Sequence, residues 1–169
     1  FISRRLYSTN SMCEKFLFEL NDGALVEAVW MGFEKRSTLC VSTQVGCALE
    51  CRFCATATMG LTRNLTASEI VQQVLCVHAL AGRSLSNIVF MGMGEPLHNY
   101  DEVAKALSIL NQAAGLALSR RRMTVSTAGL IPAIQKLADD KVPCKLAVSL
   151  NAAIDAKRTE LMPINKRYP

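Results

Sequence analysis

Apolar residues change their spacing partway along the chain. Over residues 15–20 and 25–31 they form two β-favouring runs, and Asn21, Asp22 and Gly23 between them tolerate left-handed turn conformations. This predicts a small β-hairpin. After the polar stretch 34–37 the pattern becomes strand then helix, repeating at about 30 residues, the size of a βαβ unit. Strands are expected at 38–42, 87–91, 123–127 and 145–150, with 87–91 continuously apolar, as a strand buried on both faces is. Helices are expected from 66, at 100–110, at 131–138 and at 156–162. The first opens with Thr66, Ala67, Ser68 and Glu69 in capping-box order, followed by the stripe Ile70, Val71, Val74, Leu75 and Val77. Pro132 suits the first turn of the third. The class is α/β: about four βα units, a partial (β/α) barrel preceded by the hairpin, since a full eight-unit barrel takes about 250 residues. The expected division is 1–34 for an N-terminal extension with the hairpin and 35–169 for the barrel part.

Composition narrows the class. Half of the 169 residues are hydrophobic and the net charge is only +5, which excludes a disordered tail or an acidic binder. No apolar run approaches the roughly 18 residues of a membrane helix, so no membrane partner is expected. Seven cysteines, three of them clustered at 47, 51 and 54, fit a secreted disulfide scaffold poorly and reduced thiols well. The expected location is the cytoplasm, with an organelle as the alternative. Residues 1–6 carry Arg and Ser without an initiator Met, which reads either as a transit-peptide remnant or, more simply, as a cut from a longer chain; 163–169 likewise reads as a cut.

Cys47, Cys51 and Cys54 sit directly after the first expected barrel strand. Thiolates on one short loop suit a soft metal, iron–sulfur or zinc. A structural zinc site takes four protein ligands, and downstream of the loop the next candidates are Cys76 and His78. Three cysteines with three and two residues between them instead suit a four-iron cluster with one iron left open for chemistry.

With Phe53 before the last cysteine, the loop resembles the C-x-x-x-C-x-aromatic-C motif of the radical S-adenosylmethionine (SAM) superfamily. The lead-in 38–46, the run Met91-Gly92-Met93-Gly94-Glu95-Pro96-Leu97, the stretch 119–127 and Pro163-Ile164-Asn165-Lys166 are similar to the rRNA/tRNA adenine-C2 methyltransferase family, in the family's order, from about residue 15 onward.

That resemblance implies a partial radical-SAM barrel in which Cys47, Cys51 and Cys54 hold a 4Fe-4S cluster whose open iron chelates S-adenosyl-L-methionine. Gly94 and Glu95 would bind the cofactor's amino group, a carboxylate being a natural partner for an ammonium. Ser126, Ser149, Leu150 and Asn151 match further cofactor contacts at strand ends, with Asn151 standing where many relatives have His. Cys40 matches a resolving cysteine that forms a transient disulfide, and Glu27 matches a proton acceptor. Taken alone, Gly92-Met93-Gly94 reads as a tight βα turn, Cys40 as a small buried hydrophobe and Glu27 as an outward-facing strand residue. The family's methyl-carrying cysteine has no match in residues 1–169; Cys76 and Cys144 read as structural.

The implied reaction uses SAM twice, once to methylate that cysteine and once to give a 5′-deoxyadenosyl radical that activates the methyl group toward C2 of adenine. Implied partners are 23S rRNA, tRNA, and an electron donor such as flavodoxin or ferredoxin, with a monomer when full length. Arg120, Arg121 and Arg122, with Lys166 and Arg167, are candidate phosphate contacts. Competing readings are an adenine-C8 methylase, another radical SAM enzyme, and a non-catalytic zinc and RNA-binding module.

Overall fold

The computed structural model describes residues 1–9, 11–33, 36–81 and 85–169. Strands β1 (Ile2–Tyr7), β2 (Cys13–Glu19), β3 (Leu25–Phe33) and β4 (Arg36–Cys40) form an antiparallel meander. Strands β5 (Gln44–Gly46) and β6 (Leu61–Asn64) pair with each other as a separate two-stranded ribbon. Then come helix α1 (Ala67–Ala81), β7 (Asn87–Phe90), α2 (Tyr100–Asn111), β8 (Met123–Thr127), α3 (Ile131–Asp139), β9 (Lys145–Val148) and α4 (Asp155–Leu161). The main sheet has seven strands in the order β1-β2-β3-β4-β7-β8-β9, antiparallel up to β4 and parallel from β4 onward.

The expected hairpin is therefore part of a larger sheet. Its second strand pairs with β4 in the register Val29↔Cys40, so meander and βα units share one continuous surface. The boundary expected at 34/35 lies outside the described residues. The first barrel strand runs over Arg36–Cys40 rather than 38–42, because Ser42 and Thr43 leave the ladder to bond with a helix side chain and the turn after β7. The fourth ends at Val148, where the chain turns toward Asn151 at a positive φ of 58°. Strand β1, where no element was expected, pairs through its backbone to β2 although its own residues are mostly exposed.

The capping box at the start of α1 forms: Thr66 Oγ1 accepts from the Glu69 amide at 3.2 Å, and Glu69 accepts from the Thr66 amide at 2.8 Å. Pro132 occupies the first turn of α3.

The two faces of the sheet differ. Phe16, Phe18, Val26, Ala28, Leu39, Ile88, Phe90, Met123 and Val125 share one face and are all buried. Ring by ring this is the core that the helices cover. The other face carries Leu17, Glu27, Val29, Cys40, Val89, Thr124, Ser126, Ala147 and Ser149, all of them half-buried. Alternation along a strand sends successive side chains to opposite faces, so this second set is the inward-facing surface of a sheet that curves as part of a barrel. Among the described residues no helix is long and apolar enough to cross a membrane.

Candidate cofactor site

The loop between β5 and β6 carries all three clustered cysteines, and the ribbon closes around it. The Cys47 amide donates to the Gly60 carbonyl at 2.9 Å, joining the loop's two ends. Gly46 sits at φ +78°, and a Cβ there would lie 1.8 Å from the Gly60 oxygen, so glycine is the residue this closure accepts. A 3₁₀ turn over Ala55–Met59 fills the return.

Buried polar side chains lock the ribbon to the turn after β7. Gln44, fully buried, donates to Asn64 Oδ1 at 2.7 Å and accepts from the Glu95 amide at 2.8 Å. Ser42 Oγ accepts from the Met93 amide at 2.8 Å. Gln73 of α1 exchanges two bonds with the Ser42 backbone, at 2.9 and 3.0 Å. Asn99 donates to the carbonyls of Thr43 and Leu65 at 2.9 and 2.7 Å. Sequence reasoning passed over Gln44, Gln73 and Asn99. Only Gln44, inside a stretch that carried the family resemblance, left a signal there.

Cys47, Cys51, Phe53 and Cys54 line a cavity of about 290 Å³ together with Met91, Gly94, Glu95, Ser126, Ser149 and Met162. Seven of the expected site residues thus meet at the carboxyl ends of β7, β8 and β9, where parallel α/β sheets place their ligands. Ser126 Oγ and Ser149 Oγ are 3.2 Å apart. Leu150 and Asn151 do not line the cavity. Leu150 points to solvent at 58% exposure, and Asn151 donates to Met162 Sδ at 3.1 Å.

Glu95 is buried, and both carboxylate oxygens already accept: Oε1 from the Leu97 amide at 3.0 Å, Oε2 from the Ala128 amide at 2.8 Å. Burial raises its carboxyl pKa, while these bonds oppose the rise. Its side chain ties the end of β7 to the turn after β8, in addition to any charge it offers the cavity.

The thiols are electrostatically coupled. Burial, then the nearby charges of Cys47, Cys54 and Glu95, push the Cys51 thiol up to about 11, and burial also raises Cys47. Without a bound cation the Cys47 and Cys51 thiols hold their protons. Among the described residues no three or more His, Cys, Asp or Glu side chains converge on one metal-ion position. Cys76 and His78 lie on α1, away from the cavity lining. Three thiols from one loop, with no fourth Cys or His among the described residues of the cavity lining, fit a multi-iron group that takes three protein ligands better than a four-ligand zinc site.

Cys40 and Glu27 stand apart from the cavity, on the inward face. Cys40 pairs with Val29 and Val89 across the sheet, and burial raises its thiol pKa. Glu27, two residues from Val29 on β3, pairs with Lys15 at 2.8 Å. Arg120–Arg122 form a 3₁₀ turn at the amino end of β8, and a strand of five residues separates them from the cavity by about 16 Å. There Arg122 and Arg36, with Ser86 and Asn87, line a different cavity of about 300 Å³. Arg52, on the cysteine loop, pairs with Glu160 at 3.2 Å.

Comparison with known proteins agrees with this geometry. Residues 41–167 match the model of the radical SAM superfamily. Similar curated proteins include the dual-specificity RNA methyltransferase RlmN 1 of Myxococcus xanthus, 48% identical over 166 residues that cover 96% of this chain and 46% of the relative. The dual-specificity RNA methyltransferase RlmN of Syntrophotalea carbinolica is 55% identical over 156 residues, 92% of this chain and 41% of that protein. The chain spans about half the length of the curated relatives it matches. A crystal structure of a radical SAM methyltransferase from Sphaerobacter thermophilus superposes with a TM-score of 0.95 at 48% identity, over 100% of this chain and 50% of that one. Cysteine spacing, a cavity at the strand ends and a family match across most of its length lead to one conclusion: the chain belongs to the radical SAM superfamily.

Proposed function

We propose that the chain is the first part of an RNA methyltransferase that transfers a methyl group to C2 of an adenine in 23S rRNA and in tRNA. The observation that carries this reading is the convergence of Cys47, Cys51 and Cys54 with Gly94, Glu95, Ser126 and Ser149 on one cavity, in a chain about half identical to proteins named dual-specificity RNA methyltransferases.

The three cysteines would hold a 4Fe-4S cluster. When bound, the cluster and SAM supply the one-electron chemistry that C2 of adenine, an electron-poor carbon, requires. Every other contribution belongs to the chain. The ribbon presents the thiols, and the raised pKa values of Cys47 and Cys51 mean that loading the site releases protons. Ser126 and Ser149 offer hydroxyls to the cofactor's polar groups. The turn at Gly94 presents backbone, with the Glu95 carboxylate behind it as a fixed negative charge. Cys40 and Glu27, on the inward face of the sheet, would serve as resolving thiol and proton acceptor. The methyl-carrying cysteine, unmatched in residues 1–169, would come from the remainder of a longer protein. An electron donor of the flavodoxin or ferredoxin type would complete the system.

Anaerobic reconstitution followed by iron and sulfide assay tests the site: about four of each per chain are expected, and one zinc without labile sulfide would overturn the reading. Mass spectrometry of nucleosides from RNA treated with the full-length protein is expected to show 2-methyladenosine. 8-Methyladenosine in its place would overturn the C2 assignment.

A further inference from the structure

Among the described residues, Arg158 is a buried cation without an ion-pair partner. It projects from α4 at 6% exposure, and none of the ion pairs among the described residues includes it. Its guanidinium instead donates to three oxygens from three separate segments. Nη2 reaches the Ala128 carbonyl at 2.7 Å, Nε reaches the Leu150 carbonyl at 3.2 Å, and Nη1 bonds Asn165 Oδ1. Asn165 is oriented in turn by Thr159 Oγ1 at 2.9 Å and Asp155 Oδ1 at 3.2 Å. Desolvating a charge is costly, and an apolar side chain of similar volume fills such a place at lower cost unless the charge has a task.

The place of the three acceptors indicates the task. Ala128 lines the cavity, its amide bonds Glu95, and its carbonyl bonds Arg158, so two buried opposite charges grip one residue from either side. Leu150 is the residue before Asn151, whose left-handed backbone directs its amide onto Met162, another cavity-lining residue. The planar fork of arginine fixes the directions of its N–H groups together, which a lysine ammonium does not reproduce.

We propose that Arg158 is a positioning residue: it sets the ends of β8 and β9 relative to each other, and so builds the side of the cavity that receives SAM. This rests on the reading of the cavity as the SAM site. The cysteine loop is held mainly by Gln44, Asn64 and Glu95 and meets α4 at Arg52, whose amide donates to the Leu161 carbonyl and whose guanidinium pairs with Glu160, so loss of Arg158 weakens cofactor binding more than cluster assembly.

The test uses the full-length protein with reconstituted cluster, unaltered and as R158M, R158K and N165L. Iron and sulfide content reports the cysteine loop, thermal unfolding reports the fold, and calorimetric titration with SAM reports the cavity. Iron content is expected unchanged in all four proteins. SAM affinity is expected to fall at least tenfold in R158M, to stay reduced in R158K, and to fall by a smaller factor in N165L, which keeps the guanidinium and removes one acceptor. The same losses are expected in KM for SAM rather than in kcat at saturation. The inference is overturned if R158M binds SAM within twofold of the unaltered protein, if lysine restores affinity, or if iron is lost in proportion to SAM. If R158M does not fold, N165L decides the matter, and unchanged affinity there overturns it. Failure of the unaltered protein to bind SAM would overturn the cofactor reading instead, and would leave R158M with nothing to lose.

Discussion

The two walls of the cavity are built on opposite plans. On the side of the cysteine loop, Ser42, Gln44, Gln73, Glu95 and Asn99 are all buried, and together they tie residues 42–44 to α1 and to the turn after β7, with Glu95 reaching on to Ala128. On the side of β9 and α4, Val148, Leu150 and Ile154 are each more than half exposed, and one guanidinium gathers the strand ends. Distributed ties make the first wall rigid before anything binds, so cooperative loss there needs a change that several bonds cannot absorb. A single hub makes the second wall sensitive to one side chain. The difference separates holding a cluster, which needs fixed thiols, from admitting and orienting a cofactor.

The largest expected effect breaks the first wall. Gly46→Ala places a methyl 1.8 Å from the Gly60 oxygen, whereas Gly23→Ala, at nearly the same dihedral (+80° against +78°), meets nothing within 4 Å. Gly23→Ala is expected to cost about 1–2 kcal/mol for the left-handed backbone alone. Gly46→Ala is expected to cost about 1–3 kcal/mol more from crowding and to lower iron content. Urea unfolding of both variants, with iron assay, measures the gap; equal losses would mean that the loop closure yields.

Next in size is a comparison across the cavity. Asn99→Ala removes the side-chain donor shared by two buried carbonyls and is expected to cost about 1–3 kcal/mol, or roughly 2–4 °C in Tm per kcal/mol. Val148→Ala on the open wall is expected to stay within about 0.5 kcal/mol, its side chain being 53% exposed. Thermal unfolding of residues 1–169 checks the order, and a reversal would refute the contrast between the walls.

The smallest effect lies behind the cysteine loop. Arg63 bonds both Asp22 at 2.7 Å and Glu69 at 2.8 Å, holding Asp22 at about 2 and Glu69 below its ordinary value. Depressed carboxyl pKa values give stability that is present above the unfolded values, near 4, and is lost as pH falls toward 2. The stability gap between the unaltered protein and Arg63→Gln is therefore expected to be largest near neutrality and to close on acidification. It is small throughout, because all three groups meet solvent. Urea midpoints at a series of pH values follow it, and a gap constant down to pH 2 would contradict the assignment.

Legibility in the sequence followed locality. The strand Met123–Thr127, the capping box at Thr66 and the Pro132 helix start depend on residues close in the chain, and each forms where the pattern indicated. Strands β5 and β6, of three and four residues, escaped notice because each is defined by the other across a 14-residue loop. β1 escaped because Arg4, Arg5 and Tyr7 on an edge strand leave no apolar alternation. The arginine run at 120–122 suggested a phosphate contact, with no indication of where it lies relative to the cysteines. The fold puts it at the amino end of β8, away from the cysteines, beside which Arg52 stands.

By itself the sequence determined the grouping of three thiols on one loop and the βα rhythm, because thiol spacing and hydrophobic period are local properties. Only the tertiary structure decided that Glu95 spends both oxygens on backbone amides, that Leu150 and Asn151 stand back from the cavity, and that Arg158 is buried among carbonyls. A polar side chain's partners depend on which distant segments packing brings to it, and no local pattern in the chain encodes that.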